Sequence, residues 1–255
     1  MPMVESVWYE DNRDPTARLP VTLMVHGAGG THLDWPAELR RLPEANAIIP
    51  DLPGHGRSPG PGRNSIGAYA ADMVALLDAL KIPRAIIAGH SMGGAIALTM
   101  ALAYPDRVAG LILIGTGAKL SVHPDILNRA LTETDRVIDL ITKWEWAAGA
   151  DEQLRRLSRK RLAETLPAVL QGDYQACNAF DVREQLGNLK TPTLIIGGTA
   201  DRMTAFKFST YLQEQIAGAQ LAVIEGGGHK MMLEQPQAVA AAVQQWLSER
   251  SLKSH

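Results

Sequence analysis

Residues 86–94 read Ile-Ile-Ala-Gly-His-Ser-Met-Gly-Gly. An apolar run leads into a serine with a glycine two residues away on either side, and a stretch rich in Ala and Leu follows to Ala103. The run 85–88 fits a strand buried on both faces, and 93–103, stopping before Pro105, fits a helix. A serine on so abrupt a strand-to-helix turn takes a strained backbone, and Cβ atoms at positions 89 and 93 would collide with it. The helix behind it aims free N–H groups and the positive end of its dipole at negative charge developing beside the serine. Ser91 is therefore the candidate nucleophile, on an α/β framework.

The rest of the chain repeats this rhythm. Residues 21–25, 47–49, 108–114 and 193–196 are further continuous apolar runs, with a shorter one at 221–224. Helical spacing marks 66–80, with apolar residues at Tyr69, Met73, Leu76, Leu77 and Leu80, and 238–247 closes the chain with a fraying tail behind it. Alternating strands and helices imply a mostly parallel sheet with helices on both faces. Only 6–10 offers a strand before the first core strand, so any antiparallel edge is short. Between 119 and 189 no strand is convincing, and helical patterns cover 125–131, 134–148, 151–165 and 167–177. This segment is expected to cap a core made of 1–118 and 190–255, with Trp144, Trp146, Leu157 or Phe180 on its inner face.

A second loop, Val25-His26-Gly27-Ala28-Gly29-Gly30, also follows a buried strand. Its small residues let a backbone N–H approach a substrate carbonyl oxygen. The two oxyanion donors are assigned to the amides of Ala28 and Met92, with Gly27, Gly29 and His90 lining the substrate position.

With these two motifs the chain resembles the α/β-hydrolase family, specifically its small capped esterase and lipase-like members. The resemblance extends to Pro50-Asp51-Leu52-Pro53-Gly54-His55-Gly56-Arg57-Ser58, in which Asp51, His55 and Arg57 are read as polar groups holding a loop. It implies the order nucleophile, acid, histidine, each at the C-terminal end of a strand. The acid then falls on Asp201, in Gly197-Gly198-Thr199-Ala200-Asp201-Arg202, and the histidine on His229, behind Gly226-Gly227-Gly228. Some members carry the acid one strand earlier, but here Ile114-Gly115-Thr116-Gly117 has no carboxylate. Arg202 is expected to pack or pair on the surface, His26 to shape the pocket by packing, and His32 and His123 to line the mouth of the cap.

The expected activity is hydrolysis of short- to medium-chain carboxylic esters through an acyl-enzyme. C–C bond hydrolase, lactonase, perhydrolase and non-catalytic ligand receptor remain as alternatives. Serine at the turn argues against the epoxide hydrolases and haloalkane dehalogenases of the family, which use aspartate there. No cofactor is expected. Neither zinc-type histidine spacing nor a phosphate-loop lysine is present.

Hydrophobic residues make up 46% of the 255, enough for one large core, and a formal net charge of −2 gives no ground for a nucleic-acid partner. Cys177 is the single cysteine, without a neighbour to activate it, and is read as a packed thiol. The first residues carry no basic segment or apolar stretch of a secretory signal, and no uncharged run reaches the ~18 residues of a membrane span. A cytoplasmic enzyme acting on a small-molecule ester is the expectation.

Overall fold

The computed structural model describes residues 3–14, 16, 19–42 and 45–251. Its strands are β1 (Met3–Val4), β2 (Val7–Asn12), β3 (Thr22–Val25), β4 (Ala47–Pro50), β5 (Ala85–His90), β6 (Val108–Ile114), β7 (Thr193–Gly198) and β8 (Gln220–Ile224). Among the described residues they form one eight-stranded sheet in the order β1-β2-β4-β3-β5-β6-β7-β8. The pairs from β4 to β8 are parallel, whereas β2 runs antiparallel to β4 and to β1. The N-terminal edge is a two-strand antiparallel extension, one strand more than the sequence pattern suggests.

The helices are α1 (Ala37–Arg40), α2 (Ile66–Ala79), α3 (Met92–Ala103), α4 (Pro124–Arg129), α5 (Thr134–Trp144), α6 (Glu152–Glu164), α7 (Pro167–Ala179), α8 (Lys207–Gln215), α9 (Met231–Glu234) and α10 (Pro236–Ser251). The short α1 and α9, and α8, are not marked by the sequence pattern; α8 buries only Ser209 and Leu212. Helix α10 continues through Ser251, so part of the expected tail is helical, while 252–255, including His255, lies outside the described residues.

The unbroken apolar strands follow from burial on two faces. Along β6, Leu111 and Leu113 face the core that holds α2 and α3, while Ile112 and Ile114 face the core that holds α10. Side chains alternate across a strand, so a strand covered on both sides must be apolar at every position. Between β6 and β7 the chain leaves the sheet for α4–α7, which gather Ile126, Val137, Ile138, Ile141, Leu162, Leu170 and Tyr174 into a separate apolar cluster. The two ends of this excursion meet where Lys119 bridges to Asp181. Among the described residues no helix is long and apolar enough to cross a membrane.

Candidate active site

Ser91 stands between β5 and α3 at φ 54°, ψ −116°. Glycine neighbours make this possible. A Cβ at Gly89 would strike the Gly93 carbonyl, and one at Gly93 would strike the Val25 carbonyl. The Ser91 N–H donates to the Ile114 carbonyl (3.0 Å), and the Ser91 carbonyl accepts from the Thr116 hydroxyl (2.8 Å). The turn is thus bonded on both sides to the end of the next strand. Thr116 was not among the sequence candidates; its position after β6 is the only signal that could have found it.

Asp201 follows β7 and is buried. Its Oδ1 accepts the amides of Met203 and Thr204 (2.8 Å each), and its Oδ2 lies 2.9 Å from His229 Nδ1 and 2.8 Å from the Thr204 hydroxyl. Burial opposes the charge of this carboxyl. The His229 ring and the Thr204 donors outweigh it and hold the pKa below the ordinary range. Thr204, which also lies 3.1 Å from His229 Nδ1, is a further residue that the sequence reading missed.

His229 sits on the loop between β8 and α9, its ring against that of His90, 4.8 Å between centroids. The His90 Nε2–H donates to the His229 carbonyl (2.9 Å). Burial pulls the His90 pKa down to about 3, so this ring is neutral. His90 lines the cavity, but its polar contact is with the histidine loop. Its Nδ1 has no partner among the described residues.

Ser91 and His229 open onto a cavity of about 530 Å³, within the range of small-ligand sites. Gly27, Ala28 and Gly29 line it from the loop after β3. Leu120, Val122, Ile126, Trp144, Met203 and Phe208 give it an apolar wall, and Asp34, Glu145, Arg161 and Lys230 give it a charged end. Among the described residues no hydrogen bond engages the Ala28 amide. Met92 is the first residue of α3, where an N–H has no partner within the helix. His26 steadies this side. Its Nδ1–H donates to the Gly27 carbonyl (2.8 Å) while Nε2 accepts the Leu52 amide (2.9 Å), and burial lowers its pKa to about 4.

Several expectations need correction. Of the four proposed inner-face residues only Trp144 reaches the cavity. Trp146 is buried with its Nε1–H on Glu145, Phe180 packs into the core beneath the sheet, and Leu157 is exposed because it lies on the outer face of α6. His123 lines the cavity, but His32 is buried elsewhere, bonded to Asp51 at 2.8 Å and packed on Trp8. Arg202 is exposed, as expected, but it also lines the cavity and donates to the carbonyls of Lys143 and Trp146; among the described residues no carboxylate pairs with it. Cys177 is buried in the cavity wall, and burial pushes its thiol pKa well up.

The charged end is built on Lys230, whose Nζ lies 3.0 Å from Asp34 and 3.9 Å from Glu145, all three buried. Lys230→Met leaves two buried carboxylates without their cation, a loss of about 3–5 kcal/mol for a broken buried pair. A fall in Tm of roughly 10 °C at pH 7 is expected in thermal melts. In the wild type the Lys230 charge overcomes burial and keeps the Asp34 pKa depressed. In the variant burial acts unopposed and raises it. The deficit of the variant therefore narrows as pH falls toward 4, where the Asp34 carboxyl protonates. An equal deficit at both pH values would show that the loss comes from packing.

This architecture agrees with comparisons to known proteins. The model of the alpha/beta hydrolase family matches residues 22–242, and the chain belongs to that family. RutD of Pseudomonas savastanoi pv. phaseolicola (strain 1448A / Race 6), which carries the name carbamate hydrolase, is 27% identical over 248 residues, covering 90% of this chain and 94% of its own. A 3-oxoadipate enol-lactonase 2 of Acinetobacter baylyi (strain ATCC 33305 / BD413 / ADP1) is 31% identical, covering 84% of each chain. A thermophilic esterase structure from Thermogutta terrifontis superposes with a TM-score of 0.82 at 26% identity, covering 95% of this chain and 93% of that one. The protein is a hydrolase by family and by these likenesses.

Proposed function

We propose that the protein is a serine hydrolase of carboxylic esters, with Ser91 as nucleophile, His229 as base and Asp201 as the acid that orients it. The observation that carries this reading is Ser91 on its strained turn, facing one cavity together with His229, whose Nδ1 lies 2.9 Å from Oδ2 of the buried Asp201. Nδ1–H toward Asp201 leaves Nε2 as the basic nitrogen, the tautomer able to accept a proton from Ser91. As Ser91 Oγ bonds to the carbonyl carbon, His229 takes its proton, and the carbonyl oxygen gains charge toward the amides of Ala28 and Met92. Collapse expels the alcohol, protonated by His229. Water activated by the same imidazole then releases the acid and restores Ser91.

The apolar wall and the limited volume suit a short or medium acyl group. A second reading, hydrolysis of a cyclic ester, is favoured by the 31% identity to an enol-lactonase, and it needs no change in these roles because a lactone presents the same carbonyl. Turnover of p-nitrophenyl esters from acetate to palmitate, beside a panel of five- and six-membered lactones, tests both. Ester turnover peaking below about ten acyl carbons is expected. Lactone turnover exceeding every ester by more than about tenfold in kcat/KM moves the assignment to lactonase. Absence of both would refute the proposal.

A further inference from the structure

Three successive peptide planes of the loop after β3 are each held by a side chain, and two of those side chains come from the inserted helices. The plane that carries the Ala28 N–H is fixed through the Gly27 carbonyl, which accepts from His26 Nδ1 (2.8 Å) and from the Gly30 amide (3.1 Å). The next plane is fixed by Asp173 of α7, whose Oδ2 accepts the Gly29 amide at 2.8 Å. The third is fixed by Thr165, beside the end of α6, whose hydroxyl donates to the Gly29 carbonyl at 3.1 Å. Gly29 lies at φ +63°, and a Cβ there would strike Leu162 and lie 2.9 Å from Leu170, two more residues of the insertion. The insertion therefore grips both polar groups of Gly29 and fills the space where a side chain would go.

Asp173 is built for such a grip. It is fully buried, and beyond Gly29 it accepts from the Tyr69 hydroxyl (2.6 Å) and faces His55 Nε2 (2.8 Å). His55 directs its other nitrogen at the Pro53 carbonyl (3.1 Å), so both ring nitrogens face acceptors, and against the opposing effect of burial the Asp173 carboxylate raises its pKa. One carboxylate thus ties α7 to α2, to the loop after β4 and to the loop after β3. A bonded buried polar group whose partners are spread over the core fixes geometry more than it adds stability.

We infer that Asp173 and Thr165 are positioning residues that hold the Gly27–Ala28–Gly29 loop in the shape that aims the Ala28 amide at the reacting carbonyl. The helical insertion is then part of the machinery that stabilises the transition state as well as a wall of the cavity, and its docking and the readiness of the loop are one event. This rests on the reading of Ser91 as an acyl-transfer nucleophile.

The test combines Asp173→Ala, Asp173→Asn and Thr165→Val with kinetics and with amide exchange at Gly30, whose N–H is bonded to the Gly27 carbonyl and not to Asp173. Asp173→Ala is expected to lower kcat by about 100-fold while KM moves by less than about threefold, the pattern of a lost transition-state contact. Asp173→Asn keeps an acceptor for Gly29 and is expected to recover to within about tenfold of wild type. Thr165→Val, which removes one hydroxyl and little volume, is expected to lower kcat by roughly fivefold to tenfold. Exchange at Gly30 rises in Asp173→Ala and Thr165→Val. Unchanged exchange overturns the inference, as does faster exchange with kcat intact or a rise confined to KM. If the wild type turns over no ester or lactone, the functional reading fails and exchange at Gly30 alone decides the inference. Should Asp173→Ala not fold, Asp173→Asn and Thr165→Val decide it.

Discussion

Ser91→Gly is expected to melt higher than the wild type and to turn over no ester. The wild-type residue lies at φ 54°, ψ −116°, the mirror image of an ordinary extended conformation and open to glycine without strain. A non-glycine residue held there costs about 1–3 kcal/mol. Glycine removes that strain but gives the unfolded chain more freedom, which offsets about 0.5–1 kcal/mol. The net gain of about 1 kcal/mol corresponds to a rise in Tm of roughly 2–4 °C for a chain of this size. Ser91→Ala keeps the Cβ and hence the strain, so its Tm stays near wild type. Both variants lose the attacking oxygen, and kcat is expected to fall by about 10⁶-fold. Thermal melts beside ester assays read both quantities from the same samples. A Ser91→Gly protein no more stable than Ser91→Ala would mean that the turn stores no strain at position 91. Substantial turnover in either would place the nucleophile elsewhere.

That strain also explains why this part of the site is legible in the sequence. A turn that tolerates no Cβ on either side of the serine writes itself as Gly89 and Gly93, and the strands that feed the turn write themselves as apolar runs. Asp201 and His229 carry no such mark of their own: it is the resemblance to the α/β-hydrolase family, with its order of nucleophile, acid and histidine, that singles them out in the loops after the last two strands. Residues whose meaning depends on distant partners leave no such mark. Asp173 stands in Leu-Gln-Gly-Asp-Tyr-Gln, a stretch that reads as any helix surface, and its partner Gly29 lies 144 residues away. Lys230 reads as a solvated charge until Asp34, 196 residues away, is found beside it. Trp146 and Leu157 show the same limit. Helical spacing carries α5 past Trp144, where the helix ends, so Trp146 falls outside it, and for α6 it leaves open which face turns inward, which is settled by packing.

Asp201→Asn is expected to lower kcat by about 10⁴-fold without loss of fold, the size of effect known for the wrong imidazole tautomer in serine proteases. An asparagine can ordinarily turn its amide either way, and the surroundings of Asp201 remove that choice. Oδ1 accepts two backbone amides, from Met203 and Thr204, and those donors require an oxygen. The NH₂ group is therefore driven to the Oδ2 position, facing His229 Nδ1. There it donates, so the imidazole must accept at Nδ1 and carry its proton on Nε2, where it cannot take one from Ser91. The Thr204 hydroxyl, 2.8 Å from the same position, can turn and accept from the NH₂ group, so the fold loses no bond that would unseat the loop. Thermal stability of the variant is expected within about 1 kcal/mol of wild type. Measured kcat, with KM near its original value, checks the rate. Nitrogen chemical shifts of the His229 ring check the cause, by showing the Nε2–H tautomer in Asp201→Asn and the Nδ1–H tautomer in the wild type. A near-normal rate with the tautomer switched would mean that His229 is not the base. A near-normal rate with the tautomer unchanged would mean that a group other than Asp201 sets the ring.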